Sequence, residues 1–238
     1  MIGVSPPNLE MLSLDSAMRL PRSRLPSPGG QVALNDKKGE ARNDRNEGRM
    51  IRDLILKNRS YRRFYQEVDI KLETLRELVD LARLSASARN AQPLKYILSC
   101  EPKKNLLIFP HLVLGRYLPD WSGPCEGERP SAYIIILGDT EISRFVDYDA
   151  GIAAQSIMLG ATEKGLGGCM IASVDREELR KALEIPPRYE ILLVLALGKP
   201  KEKVVIETIG PSGDTKYWRD SKSVHHVPKR PLNDIIIE

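Results

Sequence analysis

A stretch of small residues between positions 147 and 164 constrains the fold of this chain more than any other feature. Its side chains allow other segments to approach the backbone closely, so we predict a helix at the centre of the packing. The small residues are Ala150, Gly151, Ala153, Ala154, Gly160 and Ala161.

Apolar segments and helical spacing surround this predicted central helix. Short apolar segments predict strands over residues 94–99, 132–137, 168–172 and 189–197. Helices are predicted over residues 51–58, 72–82 and 175–183, with N-caps at Asp69 and Asp175. Residues after about 204 show little periodicity. The pattern indicates one mixed α/β or α+β domain.

Residues 1–49 differ in composition from the rest of the chain. Prolines and glycines interrupt the first part, and residues 35–49 are almost wholly polar. Such a segment buries too little apolar surface to offset the entropy of ordering it, so we predict a disordered leader. The domain is expected to span residues 50–238 with a C-terminal arm, and we hypothesise that translation also starts near Met50. A functional tail is the alternative.

Charge and cysteine usage exclude several classes of protein. The 36 basic and 32 acidic residues are interspersed, and the net charge is only +4. This favours a small anionic ligand over nucleic acid. The three cysteines contain no Cys-x-x-Cys pair, so we expect a reduced, cytoplasmic protein without a disulfide framework or a metal site. No stretch approaches the ~18 apolar residues of a membrane span.

Two basic motifs lie near the ends of the predicted domain. In the first, RSYRRF from Arg59 to Phe64, Arg59 and Arg62 with the Ser60 hydroxyl can converge on a phosphate. A basic turn after a helix would have the same composition. The second, Lys229-Arg230-Pro231, is by itself typical of a solvated basic tail.

Two further motifs lie between these basic ones. SASARNAQPL, from Ser85 to Leu94, offers serine and amide groups that suit a heteroaromatic ring, although ordinary loops share this composition. GLGGCMIA, from Gly165 to Ala172, ends the central helix and lets main chain pass beside a flat ligand; a simple C-cap is the alternative. The glycines do not form a Rossmann motif.

The order and spacing of these four motifs resemble the FMN-dependent nitroreductase family, over roughly Ile51 to Ile236. The resemblance implies an α+β, three-layer α/β/α sandwich with a mostly antiparallel central sheet, and a homodimer with FMN at the subunit interface. It also implies a set of cofactor-binding residues, some of them contributed by the partner subunit. These are Arg59, Ser60, Tyr61, Arg62, Ser87, Asn90, Gln92, Met170, Ile171, Ala172, Lys229 and Arg230.

The chain departs from the family pattern in two places. Ala86 and Leu94 stand where the family commonly has proline and tryptophan. The segment from Pro102 to Arg129 is shorter than the usual helical excursion. Within it, Tyr117 and Trp121 are candidate substrate-pocket residues of a cover over the flavin, and a self-packed Ω-loop is the alternative.

The resemblance implies that NADH or NADPH reduces the flavin, which then reduces a nitro, quinone or other electron-poor acceptor without a catalytic side chain. Dehalogenation, flavin fragmentation, ene reduction and flavin binding without turnover remain alternatives. Three other features receive simpler interpretations. We interpret the His225-His226 pair as solvated, Asp149 as a helix N-terminal carboxylate and Cys169 as a buried small hydrophobe.

Overall fold

The computed structural model describes residues 44–118 and 120–238. Most of the predicted leader lies outside these residues, so its disorder stays a prediction. Residues 44–49 belong to helix α1, Asp44–Lys57, which therefore begins before Met50, the predicted start of the domain.

The other predicted helices and strands occur in the predicted order, and the structure adds short elements, which were not predicted, before, between and after them. Together these elements are β1 (Phe64–Tyr65), α2 (Leu72–Leu84), β2 (Leu94–Ser99), α3 (Pro102–Ile108), β3 (Ala132–Asp139), α4 (Asp147–Glu163), β4 (Gly167–Ile171), α5 (Arg176–Ala182), β5 (Tyr189–Pro200), β6 (Val204–Thr208), β7 (Trp218–Arg219) and β8 (His225–Lys229). Asp175 caps α5 as predicted, since its side chain accepts from the Glu178 N–H at 3.2 Å. The prediction for Asp69 is wrong, because Lys71 occupies the N-cap of α2.

One antiparallel sheet organises the domain. Strand β5 is its longest member and pairs with β3, β4 and β1, while β2 pairs with β3. The order β2–β3–β5–β4 places β2 and β4 at opposite edges of the sheet. All of these pairs are antiparallel, as predicted for the central sheet.

Both faces of the sheet are covered, which produces three layers. Strand β3 is buried along its whole length, and alternate side chains point to opposite faces. Ile134 and Ile136 pack in one apolar cluster with α2 and α4. Tyr133 and Ile135 pack in the other, with residues of α3 and α5. The predicted three-layer α+β architecture is confirmed.

A second, smaller sheet forms where we predicted little regular structure. Strand β6 pairs in parallel with β8, and β7 pairs antiparallel with β8. That prediction is therefore wrong. The strands are short, and β8 has the sequence His-His-Val-Pro-Lys, which carries no apolar alternation.

Within the described part of the chain, no helix combines the length and apolar character needed to cross a membrane.

Candidate functional site

The outer edge of strand β4 contains a gap between two backbone contacts. At the start of the strand, the Tyr61 N–H donates to Gly168 O at 2.9 Å. Just beyond its end, the Val113 N–H donates to Ser173 O at 3.0 Å. Between these contacts, only β5 pairs with β4 within residues 44–118 and 120–238. The main chain of Met170 therefore lies at an open sheet edge, where backbone groups are able to bind a ligand.

A cavity of about 220 Å³ opens at this gap. It gathers residues from four separate parts of the sequence. Those that the sequence analysis selected are Arg62, Tyr117, Met170, Ile171 and Ala172. The structure thus brings part of the first basic motif, the glycine motif and the candidate cover to one place.

Two glycines allow the first motif to pack against β4. A Cβ atom on Gly167 would lie 2.5 Å from Cδ2 of Tyr61. On Gly168 it would lie 2.3 Å from the main-chain oxygen of Ala196 in β5. The GG pair is therefore required for close packing, in addition to the helix end that Gly165 provides with a φ of 71°.

The Arg62 side chain is buried and surrounded by the C-terminal part of the chain. Its Nη1 donates to Ser60 O at 3.1 Å and lies 3.2 Å from Nε2 of His225. The guanidinium carbon stacks 4.3 Å from the ring centroid of Tyr217. The backbone N–H of Arg62 donates to the Glu202 carboxylate.

The interpretation of His225 as solvated is wrong, because its side chain is 1% exposed. A guanidinium only donates hydrogen bonds, so Nε2 of His225 accepts from Arg62 and the ring is neutral with its proton on Nδ1. Burial, followed by the positive charges of Arg62 and Arg219, lowers the pKa of His225 to about 4. The His225 ring is therefore buried and neutral where it packs beside Arg62.

Glu202 joins Arg62 to the candidate cover. Its carboxylate also accepts from Nη2 of Arg219 at 2.9 Å, and its side chain is fully buried. The Arg219 guanidinium carbon lies 4.9 Å from the Trp121 ring centroid. A second link runs through the rings of Tyr117 and Tyr217, whose centroids are 5.1 Å apart.

The serine and amide loop forms a separate site. The Ser87 hydroxyl donates to Oδ2 of Asp149 at 2.5 Å and accepts from the Gln92 N–H at 2.9 Å. Ser87 and Gln92 line another cavity of about 220 Å³ together with Asp149. The exposed Gln92 amide donates to Oδ1 of Asn90 at 3.2 Å. The Asp149 carboxylate is buried and also accepts from the Ala88 N–H, so it holds this loop in addition to standing near the start of α4.

The backbone of this loop adopts left-handed conformations without glycine. Arg89, Asn90 and Gln92 have φ angles of 55°, 53° and 51°. Such residues are uncommon outside turns and functional loops, and they require support from their surroundings. The bonds from Asp149 provide that support and leave the amide side chains directed outward.

This loop and the β4 cavity lie far apart within one chain. Their strands, β2 and β4, are three strand spacings apart, or about 14 Å. The two sites are also offset along the strands. Leu94 of β2 pairs with Gly138 of β3, which pairs with Glu190 of β5. Met170 of β4 pairs with Leu195, five residues further along β5. The offset of five residues along the strand is about 17 Å, perpendicular to the 14 Å across the sheet, so the two sites are roughly 20 Å apart.

The other predicted cofactor-binding residues lie outside the cavity. Arg59 donates to Asn58 O and Ile55 O at 2.6 and 2.7 Å and so caps the end of α1, and partial burial lowers its pKa. Ser60 is exposed beside Gly168. The Tyr61 hydroxyl donates to Lys57 O at 3.0 Å.

The late basic residues do not reach Arg62. Lys229 ends β8 opposite Thr208, and both Lys229 and Arg230 are exposed. Lys229 is four residues beyond His225 along the strand, which is about 13 Å. One chain therefore does not assemble the complete predicted phosphate site.

Sequence reasoning missed the residues that surround Arg62. Glu202 and Arg219 carried no local motif, and Tyr217 lay in a segment predicted to be irregular. Cys169 agrees with its interpretation, because its side chain is 6% exposed and burial raises the pKa of the thiol.

Known proteins resemble the part of the chain that contains the glycine motif. A family model described as "Nitroreductase family" matches residues 127–199, which contain β3, α4, β4 and β5. An Archaeoglobus fulgidus relative, whose name assigns it provisionally to the NADH dehydrogenases or NAD(P)H nitroreductases, is 28% identical over 150 residues. The match covers 59% of this chain and 80% of the relative. The chain is therefore similar to the nitroreductase family in this region.

Solved structures support the same family fold. A nitroreductase family protein from Clostridium novyi NT is 26% identical, with a TM-score of 0.54 over 63% of this chain and 86% of that protein. One from Streptococcus pneumoniae TIGR4 is 18% identical, with a TM-score of 0.57 over 79% and 99%. A structure named as an FMN-dependent nitroreductase, from Clostridium difficile R20291, is 24% identical, with a TM-score of 0.52 over 63% and 87%. The resemblance and fold that the sequence predicted are confirmed.

Proposed function

We propose that this chain forms a homodimeric, FMN-dependent oxidoreductase that uses NADH or NADPH to reduce a nitro, quinone or other electron-poor compound. The observation that carries the proposal is the convergence of Arg62 and the open main-chain edge of Met170 to Ala172 on one cavity. Relatives named as NAD(P)H nitroreductases and a neighbour named as FMN-dependent support the choice of donor and cofactor.

The residues of the gap suit FMN. A flat ring fits against an edge strand whose main-chain groups are free to form hydrogen bonds, and Ala172 presents only a methyl group there. Arg62 and the Ser60 hydroxyl would hold the anionic phosphate end, since a guanidinium matches phosphate oxygens. Arg59 uses two N–H donors on α1 and keeps others for the same phosphate.

FMN would supply the hydride chemistry, and the side chains around it would bind and orient the reactants. Tyr217 packs against both the Arg62 guanidinium and the His225 ring, so it holds Arg62 in place while also lining the cavity. Because the His225 ring is neutral, it does not add a second positive charge beside Arg62. Tyr117 lines the gap, whereas Trp121 packs against Gly115 and lines a neighbouring cavity with Tyr117; together they would form the cover that excludes water from the reactants.

A second copy of the chain would complete the site. A cavity of about 220 Å³ is smaller than the ~300 Å³ at which typical cofactor pockets begin. Ser87, Asn90 and Gln92 lie roughly 20 Å away in the same chain, so they would reach this flavin only from a partner. Close to Asp149 in the sequence, the aromatic side chains of Phe145 and Tyr148 are 84% and 82% exposed and would be available to a partner.

The first test is the absorption spectrum of the purified protein before and after anaerobic NADH or NADPH. We expect a flavin spectrum that bleaches on addition, with FMN released on denaturation. A protein that neither contains nor takes up FMN would refute the proposal. Bound FMN that neither nucleotide bleaches would refute the reductase while leaving flavin binding.

The second test uses subunit complementation. Ala172→Trp should fill the β4 cavity, and Asn90→Gly with Gln92→Gly should remove the amide side chains while keeping the left-handed backbone. Each homodimer should lose FMN. In an equal mixture, mixed dimers carry one intact site, so FMN should return to about a quarter of all sites. No recovery after subunit exchange would refute the shared site.

A further inference from the structure

The cavity at the β4 edge is lined by charges of one sign. Among the residues that the structure describes, its lining includes Arg62 and Arg116 and no aspartate or glutamate. The two arginines come from segments on opposite sides of the gap. A pocket with one sign of charge concentrates ligands of the opposite sign.

The two guanidinium groups differ in their partners. Arg62 is engaged by Ser60, His225 and the Tyr217 ring. Arg116 is exposed, and within residues 44–118 and 120–238 its side chain makes neither a hydrogen bond nor an ion pair. Its full set of donors is available at the mouth of the cavity.

The backbone beneath Arg116 is nevertheless fixed. The Leu118 N–H donates to Gly115 O at 2.8 Å, so Arg116 stands on a tight turn. Gly115 packs against the Trp121 ring, where an added Cβ would lie 2.6 Å from Cε3, and its φ of 73° requires glycine. On the other side, the Tyr117 ring packs against Tyr217. The turn therefore holds the backbone of Arg116 in place, while its guanidinium has no partner among the described residues.

We propose that Arg116 binds an anionic group of the reactant that lies against the flavin, a phosphate of the pyridine nucleotide or a carboxylate of the acceptor. This inference rests on the proposed function, and it assigns to the site a preference for anionic reactants. A guanidinium forms charge-assisted, bidentate bonds to either group. Because the side chain is exposed, the interaction weakens as salt is added.

The experiment compares reactants that carry an anionic group with counterparts that lack it. Arg116→Ala and the control Arg76→Ala, on the exposed face of α2, are assayed with NADPH, NADH and the uncharged donor 1-benzyl-1,4-dihydronicotinamide. The acceptors are 4-nitrobenzoate and its methyl ester. We expect Arg116→Ala to raise KM about tenfold for the reactant whose anion it binds, and to leave the uncharged counterpart unchanged. Arg76→Ala should match the wild type throughout.

The pattern of losses identifies the anion. A higher KM for NADPH alone assigns Arg116 to the 2′-phosphate, and a higher KM for both nucleotides assigns it to the pyrophosphate. A higher KM for 4-nitrobenzoate alone assigns it to an acceptor carboxylate. Calorimetry with adenosine 2′,5′-bisphosphate and AMP gives a readout for the nucleotide arms that does not depend on turnover. An assignment to the 2′-phosphate requires that Arg116→Ala weaken the bisphosphate more than AMP.

Three results would overturn the inference. These are equal KM values for charged and uncharged reactants in both proteins, an equal loss with all of them, or a lower FMN affinity of Arg116→Ala by flavin fluorescence. The last result would place Arg116 on the flavin phosphate. Failure of the proposed function is distinct, because the wild-type protein would then lack FMN or fail to oxidise even the uncharged donor.

Discussion

The buried imidazole of His225 makes the stability of the protein sensitive to mild acid. In the folded chain its pKa is about 4, against the ordinary value of 6.5, because burial and the two neighbouring guanidinium groups oppose a positive ring. The unfolded chain therefore binds a proton before the folded chain does. The contribution is complete above pH 6.5 and is lost as the pH falls towards 4.

The size of the effect follows from the shift. Each unit of pKa difference is worth about 1.4 kcal/mol, so the full effect approaches 3 kcal/mol. Between pH 7 and pH 4.5 the free energy of unfolding should fall by about 2 kcal/mol through this one group. Carboxylates also titrate in that range, so the effect must be isolated by substitution.

Urea unfolding at pH 7 and pH 4.5 measures it. His225→Gln keeps an acceptor for Arg62 but does not titrate, so it should lose about 2 kcal/mol less than the wild type on acidification. His111→Gln, on a half-buried turn away from Arg62, is the control and should follow the wild type. The same acid-induced loss in wild type and His225→Gln would refute the reasoning.

Three further predictions concern the surroundings of the site. Glu202→Gln should lower the free energy of unfolding by about 3 kcal/mol in urea, because it removes the charge of a buried carboxylate that pairs with Arg219 and accepts from the Arg62 backbone N–H; a loss below about 1 kcal/mol would show that solvent already screens the group. Gly168→Ala should cost about 1–3 kcal/mol in the same assay, since its Cβ meets Ala196 O, whereas Gly151→Ala in α4 meets nothing and should be neutral or stabilising; equal effects would contradict the packing argument. Trp121→Ala should change KM or kcat for the acceptor with FMN still bound, and unchanged kinetics would favour the self-packed loop.

The sequence was sufficient for the elements with long apolar or small-residue patterns. Strand β2 begins and ends where residues 94–99 were predicted, and α4 ends one residue before the prediction. Such elements are buried on one or both faces, so their side chains record the burial directly. The four motifs were also sufficient to recognise the family and its fold.

The sequence was not sufficient for contacts made between distant polar residues. Asp149 and His225 each looked like an ordinary surface residue, because nothing adjacent in the sequence shows that the fold buries them. Glu202 lies in a lysine-rich stretch that reads as solvated. Burial of a polar group depends on the partner that satisfies it, and here the partners are brought by other elements of the fold.

The surroundings of Arg62 also determine when the site is able to form during synthesis. Its bonds to Glu202 and His225 span 140 and 163 residues of chain. Helices α1 and α2 can form while later residues are still being added, but contacts of this separation are slow and come late. The RSYRRF motif is synthesised early but acquires its final geometry late. A growing chain therefore exposes Arg62 before Glu202 and His225 pack against it. Cofactor capture would then follow synthesis of the segment that contains His225.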